Sequence, residues 1–169
     1  MEIAMMNKNA KLSPHFTLGE MTMTSAKGLD NTPSHAAVMN LKNLCENWLE
    51  ELRYTYNSLY CLKPGEDYET SKNVKPLIIN SGYRSPDVNR AVGGVNSSNH
   101  LTGCAVDIRC AGVEQAIRYA AILLDAADDR QEDFDELLIE RNRKGHYWVH
   151  FAVRPPKEGN RRRVMIIRG

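Results

Sequence analysis

Behind Thr32-Pro33-Ser34 the apolar residues Val38, Leu41, Leu44, Cys45, Trp48, Leu49 and Leu52 recur at helical spacing. They predict one long amphipathic helix running to about Tyr60, with Pro33 near its first position, where the missing N–H is not needed. The period then shortens. Leu77-Ile78-Ile79 is an apolar run of strand type ending at Ser81-Gly82, and Ala105 to Arg109 alternates with partly β-branched character. Ser85-Pro86-Asp87 opens a short helix to about Ala91, and Val113 to Ala127 returns to helix, rich in alanine and leucine. Phe134 to Glu140 and Tyr147 to Val153 read as strands around a polar turn, Arg141 to Gly145, which makes a hairpin. Arg163 to Ile167 offers a last strand. Loops fill the remainder, at Lys63 to Lys75 and at the glycine, serine and asparagine stretch Gly93 to Asn99. The segment up to Asn31 is polar and extended, anchored by Phe16, Leu18 and Met21. Irregular alternation with one hairpin predicts an α+β fold, an antiparallel sheet with flanking helices, in one domain spanning residues 1–169.

Composition narrows this picture only a little. At 169 residues, 42% hydrophobic and 25% charged, the chain is long enough for one proper core and has the balance of an ordinary globular protein. A net charge of +1 argues against a general binder of polyanions, and no nucleic-acid partner is expected. Basic residues do gather at Arg141, Arg143 and Lys144, and at Arg161, Arg162, Arg163 and Arg168; a solvated face is the expectation, a positive patch the alternative. Met1 to Ala10 carries no signal-peptide run, and no stretch is long enough to span a membrane, so synthesis in the cytoplasm and no membrane association are expected. Cys45, Cys61, Cys104 and Cys110 form no C-x-x-C pair and are expected to be free thiols.

The chemistry lies in Ser98-Asn99-His100-Leu101-Thr102-Gly103-Cys104-Ala105-Val106-Asp107 and in His146-Tyr147-Trp148-Val149-His150. His100 ends a loop, Gly103 permits a tight turn, and Asp107 sits within a strand. Two histidines and one carboxylate make the ligand set of a catalytic zinc site, whose fourth position is left to water. Zinc lowers the pKa of such a water to about 7, which provides a nucleophile at neutral pH. Cys104 and Cys110 fall on the opposite side of the strand from Asp107 and are rejected as ligands.

The string S-x-H-x-x-G-x-A-x-D from Ser98 to Asp107 resembles the first metal motif of the peptidase M15 family. Ser81-Gly82-Tyr83-Arg84-Ser85 and the closing Trp148-Val149-His150 are similar to that family as well, as are Phe16 to Glu20 and Asn160 to Val164 in one branch of it. The family holds zinc D-Ala-D-Ala carboxypeptidases, vancomycin-resistance dipeptidases and phage peptidoglycan endopeptidases, with a hedgehog-like zinc fold. The resemblance implies that His100, Asp107 and His150 bind Zn2+, and that Arg84 grips a substrate carboxylate or steadies an oxyanion. It implies a monomer acting on peptidoglycan stem peptides at the cell wall, a D-Ala-D-Ala carboxypeptidase in type. An endopeptidase cutting L-Ala-D-Glu or a cross-link, and a zinc-bearing binding module without turnover, are the alternatives.

The proton carrier is left open between two residues. Glu140 ends the strand that leads into the turn before the third ligand. In the dipeptidase branch the glutamate lies three residues before the final histidine, a position held here by Tyr147. With a turn from Arg141 to Gly145, Glu140 faces His146 and Glu136 faces His150, which puts Glu140 roughly 13 Å from the ligand along the strand. His146 is therefore the rival, as proton shuttle or oxyanion stabiliser. Trp148, two residues from each of His146 and His150, is expected either to wall the cleft or to sit in the core.

Overall fold

The computed structural model describes residues 6–169. A small hairpin opens it, β1 (Lys11–Ser13) and β2 (Phe16–Thr17), and runs straight into the single turn α1 (Leu18–Met21). Thr17 and Glu20 form a reciprocal capping box at that turn. Phe16, Leu18 and Met21 are all buried, so the N-terminal anchors sit in the core. The predicted long helix follows, capped by the Ser34 side chain with Pro33 one residue outside it. It is continuous from His35 to Tyr60 but changes pitch: α2 (His35–Leu44) and α3 (Glu50–Tyr60) are joined by a π-helical turn at Cys45–Leu49. That wide turn keeps Cys45, Trp48 and Leu49 all facing the interior.

The sheet has five strands: β3 (Ile79–Ser81), β4 (Ala105–Cys110), β5 (Glu136–Arg141), β6 (Tyr147–Ala152) and β7 (Arg163–Arg168). Their spatial order is β3-β4-β6-β5-β7. All pairs are antiparallel except the last, because β7 returns past a 3-10 turn at Pro156–Glu158 and lies parallel to β5. The expected antiparallel sheet is therefore mixed. The fold is α+β, as the alternation of elements predicts. Between β3 and β4 come α4 (Pro86–Ala91), capped by Ser85, and a 3-10 turn at Asn99–Thr102; α5 (Val113–Arg130) links β4 to β5. Strand β3 begins two residues later than predicted, and its pairing is interrupted by a register shift between Ile79 and Ser81.

Alternation along the strands divides the sheet into two faces. Val106 and Ile108, Leu137 and Ile139, Val149 and Phe151 point to one side and join Leu41, Leu44, Trp48, Leu52, Tyr119 and Leu123 in the core. Trp48 and Phe134 both lie against Phe151, with ring centroids 5.0 and 5.6 Å away. The opposite face carries Asp107, His150 and Glu140, and no helix of the described residues covers it there. Burial of one face is thus what fixes the aim of the other, because a slip of one residue would exchange them. No helix among the described residues is long and apolar enough to cross a membrane.

Candidate metal centre

His100, Asp107 and His150 come together on the uncovered face, each offering one ligand atom, and these atoms all lie within 4.8 Å of one another. Asp107 and His150 are direct cross-strand partners on β4 and β6, the two strands at the sheet's centre. His100 arrives from the 3-10 turn, which is rigid rather than loose: Ser98 caps it and its histidine is buried. Two glycines make that position possible. Gly103, at φ +72°, ends the turn in a left-handed conformation, and a Cβ there would meet the Ala37 carbonyl oxygen at 2.4 Å. Gly82 runs so close to Met21 that a Cβ would stand 2.3 Å from the Met21 carbonyl oxygen. The Gly82 carbonyl in turn accepts a hydrogen bond from His100 Nδ1 at 2.6 Å.

That bond assigns the nitrogens. With Nδ1 donating to the backbone, His100 turns Nε2 toward the carboxylate, 3.3 Å from Asp107 Oδ2. His150 is held the other way round, with Nε2 3.1 Å from Glu136 Oε2 and Nδ1 2.8 Å from Asp107 Oδ1. Two imidazole nitrogens and a carboxylate oxygen converge on one point, each histidine fixed from behind by an acceptor. This is the arrangement in which outer partners set tautomer and basicity of metal-binding histidines. A buried, mixed N,N,O donor set whose carboxylate residue borders a cleft fits a catalytic zinc ion.

Electrostatics favour an ionised carboxylate at the centre. Burial opposes its charge, but the adjacent histidines outweigh burial and hold the Asp107 carboxyl well below the usual range. Arg84 also pairs with this carboxylate, its Nη2 2.8 Å from Asp107 Oδ2 and its Nε 2.8 Å from Ser81 Oγ. His150 is likewise desolvated, yet its bonds to Asp107 and Glu136 push it up to about 9. The hydrogen bond from His150 also draws the Glu136 carboxyl below its ordinary value, against the effect of burial.

Glu136 was expected to face His150 across the hairpin; it pairs with Ala152 instead, yet its side chain still reaches His150 and does more besides. Its second oxygen accepts from Arg161 at 3.1 Å and from Arg163 at 2.9 Å. The neighbouring Asp135 is fully buried and is bound by Arg161, Arg154 and Asn99. Burial would raise this carboxyl, but those donors bring it to about 2. The arginine cluster at 161–163 is exposed, as a solvated face requires, but its guanidiniums are paired with acids and are not a free positive patch. Arg161 and Arg163 neutralise the acids behind His150, and Arg162 reaches Asp128 and Asp133. Arg141, Arg143 and Lys144 are exposed, as a solvated face requires. A Glu136→Gln variant should keep its fold but bind zinc about 10- to 100-fold more weakly, measured by competition with a chromogenic chelator. Unchanged affinity would show that Glu136 only holds the tail.

The hairpin register differs from the expected one, and the difference matters for chemistry. Arg141 pairs with Tyr147, Glu140 with Trp148 and Leu138 with His150. The connection is thus Asn142 to His146, the same length as the predicted turn but shifted one residue along the chain. Asn142 causes it: its side-chain oxygen accepts from Lys144 N and His146 N, each at 3.0 Å, and its N–H donates to the His146 carbonyl. Glu140 now sits two residues, about 7 Å, along the strand from the residue opposite His150 and on the same face. It is partly buried, and burial, followed by the charge of Asp107, pushes its carboxyl above the ordinary value; His150 and Arg84 offset part of this. His146 is exposed on the loop, and no hydrogen bond joins its ring to the trio among the described residues.

Beside the trio lies a cleft of about 640 Å³, lined by Arg84, Asp107, Arg109, His146, Trp148 and, on its far side, Met23. Its size is that of a ligand pocket. Trp148 walls this cleft, which decides between its two expected places. All four cysteines are free thiols, and burial raises the thiol of Cys110 to about 12, far from any ligand chemistry.

A comparison with curated proteins finds no match. A family model described as Peptidase M15 matches residues 66–151, just over half of the chain, and this stretch contains His100, Asp107, His150, Arg84 and Glu140 but neither the N-terminal helix nor the arginine-rich tail. The chain belongs to the peptidase M15 family.

Proposed function

We propose that this protein is a zinc-dependent peptidase that hydrolyses peptidoglycan stem peptides at the cell wall, as a monomer and as a D-Ala-D-Ala carboxypeptidase in type. The observation that carries the zinc reading is the convergence of His100 Nε2, Asp107 and His150 Nδ1, with Asp107 at the wall of the cleft. Family membership supplies the peptidase class. A zinc ion at that point would act as a Lewis acid on the scissile carbonyl and make water nucleophilic at neutral pH.

The chain's own residues supply the rest. The two histidines hold the Asp107 carboxyl well below its ordinary value, and Arg84 pairs with it, so it is ionised at neutral pH. Glu140 is the proton carrier. It shares a sheet face with His150, and its raised carboxyl suits a group that takes a proton from water and returns it to the leaving amine. Arg84 steadies Asp107 through one nitrogen and stands at the cleft wall, where a guanidinium can meet developing negative charge. His146, on the cleft rim, is the second proton carrier to be tested.

The test is zinc content and muropeptide hydrolysis on one purified sample, with and without a chelator. The expected result is about one zinc per chain, and release of D-alanine that stops on chelation and returns with added zinc. A cut inside the stem peptide or a cross-link would assign an endopeptidase. Zinc without cleavage would leave a binding module, and absence of zinc would overturn the reading of the trio.

A further inference from the structure

Arg84 reaches the site already engaged, by Asp107 Oδ2 and by Ser81 Oγ, each at 2.8 Å. A residue so committed is a poor hand for a substrate carboxylate, because gripping one would mean loosening a metal ligand's partner. The cleft holds a second guanidinium. Arg109 lies two residues past Asp107 on β4, on the same sheet face, about 7 Å further along the strand. It is the cross-strand partner of Trp148, and the two line the cleft together with Arg84 and His146.

Arg109 is exposed, and its Nε donates to Asn80 Oδ1 at 3.0 Å. No carboxylate of the chain pairs with it among the described residues, unlike Arg84, Arg161, Arg162 and Arg163. The bond from Nε fixes the plane of the guanidinium and leaves its outer edge, the fork that matches a carboxylate, to the cleft. Trp148 beside it offers a flat apolar wall for the peptide that carries the charge.

We propose that Arg109 anchors a carboxylate of the peptide substrate, about two extended residues from the bond that is cut. The substrate class is therefore an acidic peptide, whose negative group is either its C-terminus or a free carboxylate on a residue flanking the scissile bond. This rests on the peptidase reading for its kinetic part but not for its binding part. Arg109 selects and positions; it does not touch the reacting atoms.

The experiment uses the zinc-loaded full chain and three forms of one synthetic stem pentapeptide: with all carboxylates free, with the C-terminus amidated, and with the flanking isoglutamate α-carboxyl amidated. In the wild type one of the amidations should raise KM about fivefold and change kcat less than twofold, and which one does so names the carboxylate. In Arg109→Ala the free acid should show that same raised KM, so that acid and amide become indistinguishable, and Arg109→Lys should restore part of the preference. Calorimetric binding of the same peptides needs no turnover and should show the same loss of preference. Full discrimination between acid and amide in Arg109→Ala would overturn the proposal, as would a wild type that binds both forms equally. Absence of cleavage with the binding preference intact would instead count against the peptidase reading alone.

Discussion

Asp107→Asn should yield a folded protein that no longer retains zinc. The substitution keeps the side chain's volume and one acceptor oxygen, so His150 Nδ1 or Arg84 keeps a partner, but it removes the charge on which two histidines and Arg84 converge and which a dication would need. Zinc content should fall from about one per chain to a small fraction, and hydrolysis by at least about a hundredfold, because the ion and the water it activates leave together. Circular dichroism in the presence of chelator should match the wild type. Asp107→Ala is the harsher comparison: it strands Arg84 and His150 without their acceptor in a largely buried place and should cost about 3 kcal/mol of stability as well. Wild-type zinc content and rate in Asp107→Asn would remove the trio from consideration as a metal centre.

The second large effect separates proton transfer from metal binding. Glu140→Gln should retain zinc, since Glu140 is not among the converging ligand atoms, yet lose about a hundred- to ten-thousandfold in kcat. The pH profile carries the sign. The carboxyl of Glu140 is raised by burial and by Asp107, and it must be deprotonated to accept a proton. Activity should therefore fall as pH drops through that raised value, giving an acid limb above the ordinary glutamate value, and the residual rate of Glu140→Gln should lack this limb. His146→Ala should lower the rate by less than about tenfold and leave the limb in place. The opposite pattern, a near-normal Glu140→Gln and a crippled His146→Ala, would transfer the role to the loop histidine.

Much of this could be read from residue order alone, and the parts that could not have a common cause. The stripe from Leu41 to Leu52 predicts its helix because burial on one side follows a fixed period; the same logic finds the hairpin strands. The spacing of His100, Gly103 and Asp107, with His150 later in the chain, singles out the three residues that the fold brings together. Local rules fail where the deciding contact is a side chain in a turn. Asn142 collects two N–H groups and the hairpin loop starts one residue later than expected, a register shift that brings Glu140 to about half its expected distance from the site. They fail again where partners are distant in sequence. Glu136 looks like one more charged residue on a strand, and Arg161 and Arg163 like a basic tail, until a parallel strand lays one against the other. The commitment of Arg84 to Asp107, 23 positions on, is equally invisible to spacing.

Strand β7 has a consequence of another kind. It closes the sheet as an edge, and every residue of Arg163-Val164-Met165-Ile166-Ile167-Arg168 is exposed. Four consecutive apolar residues on an open edge are a template on which a second chain could crystallise into fibres. The two arginines are its gatekeepers: an antiparallel neighbour in register would set Arg163 against Arg168 at both ends, so that growth begins with two repulsions. The guanidinium that braces Glu136 behind the candidate metal centre thus also stands guard at the open edge of the sheet.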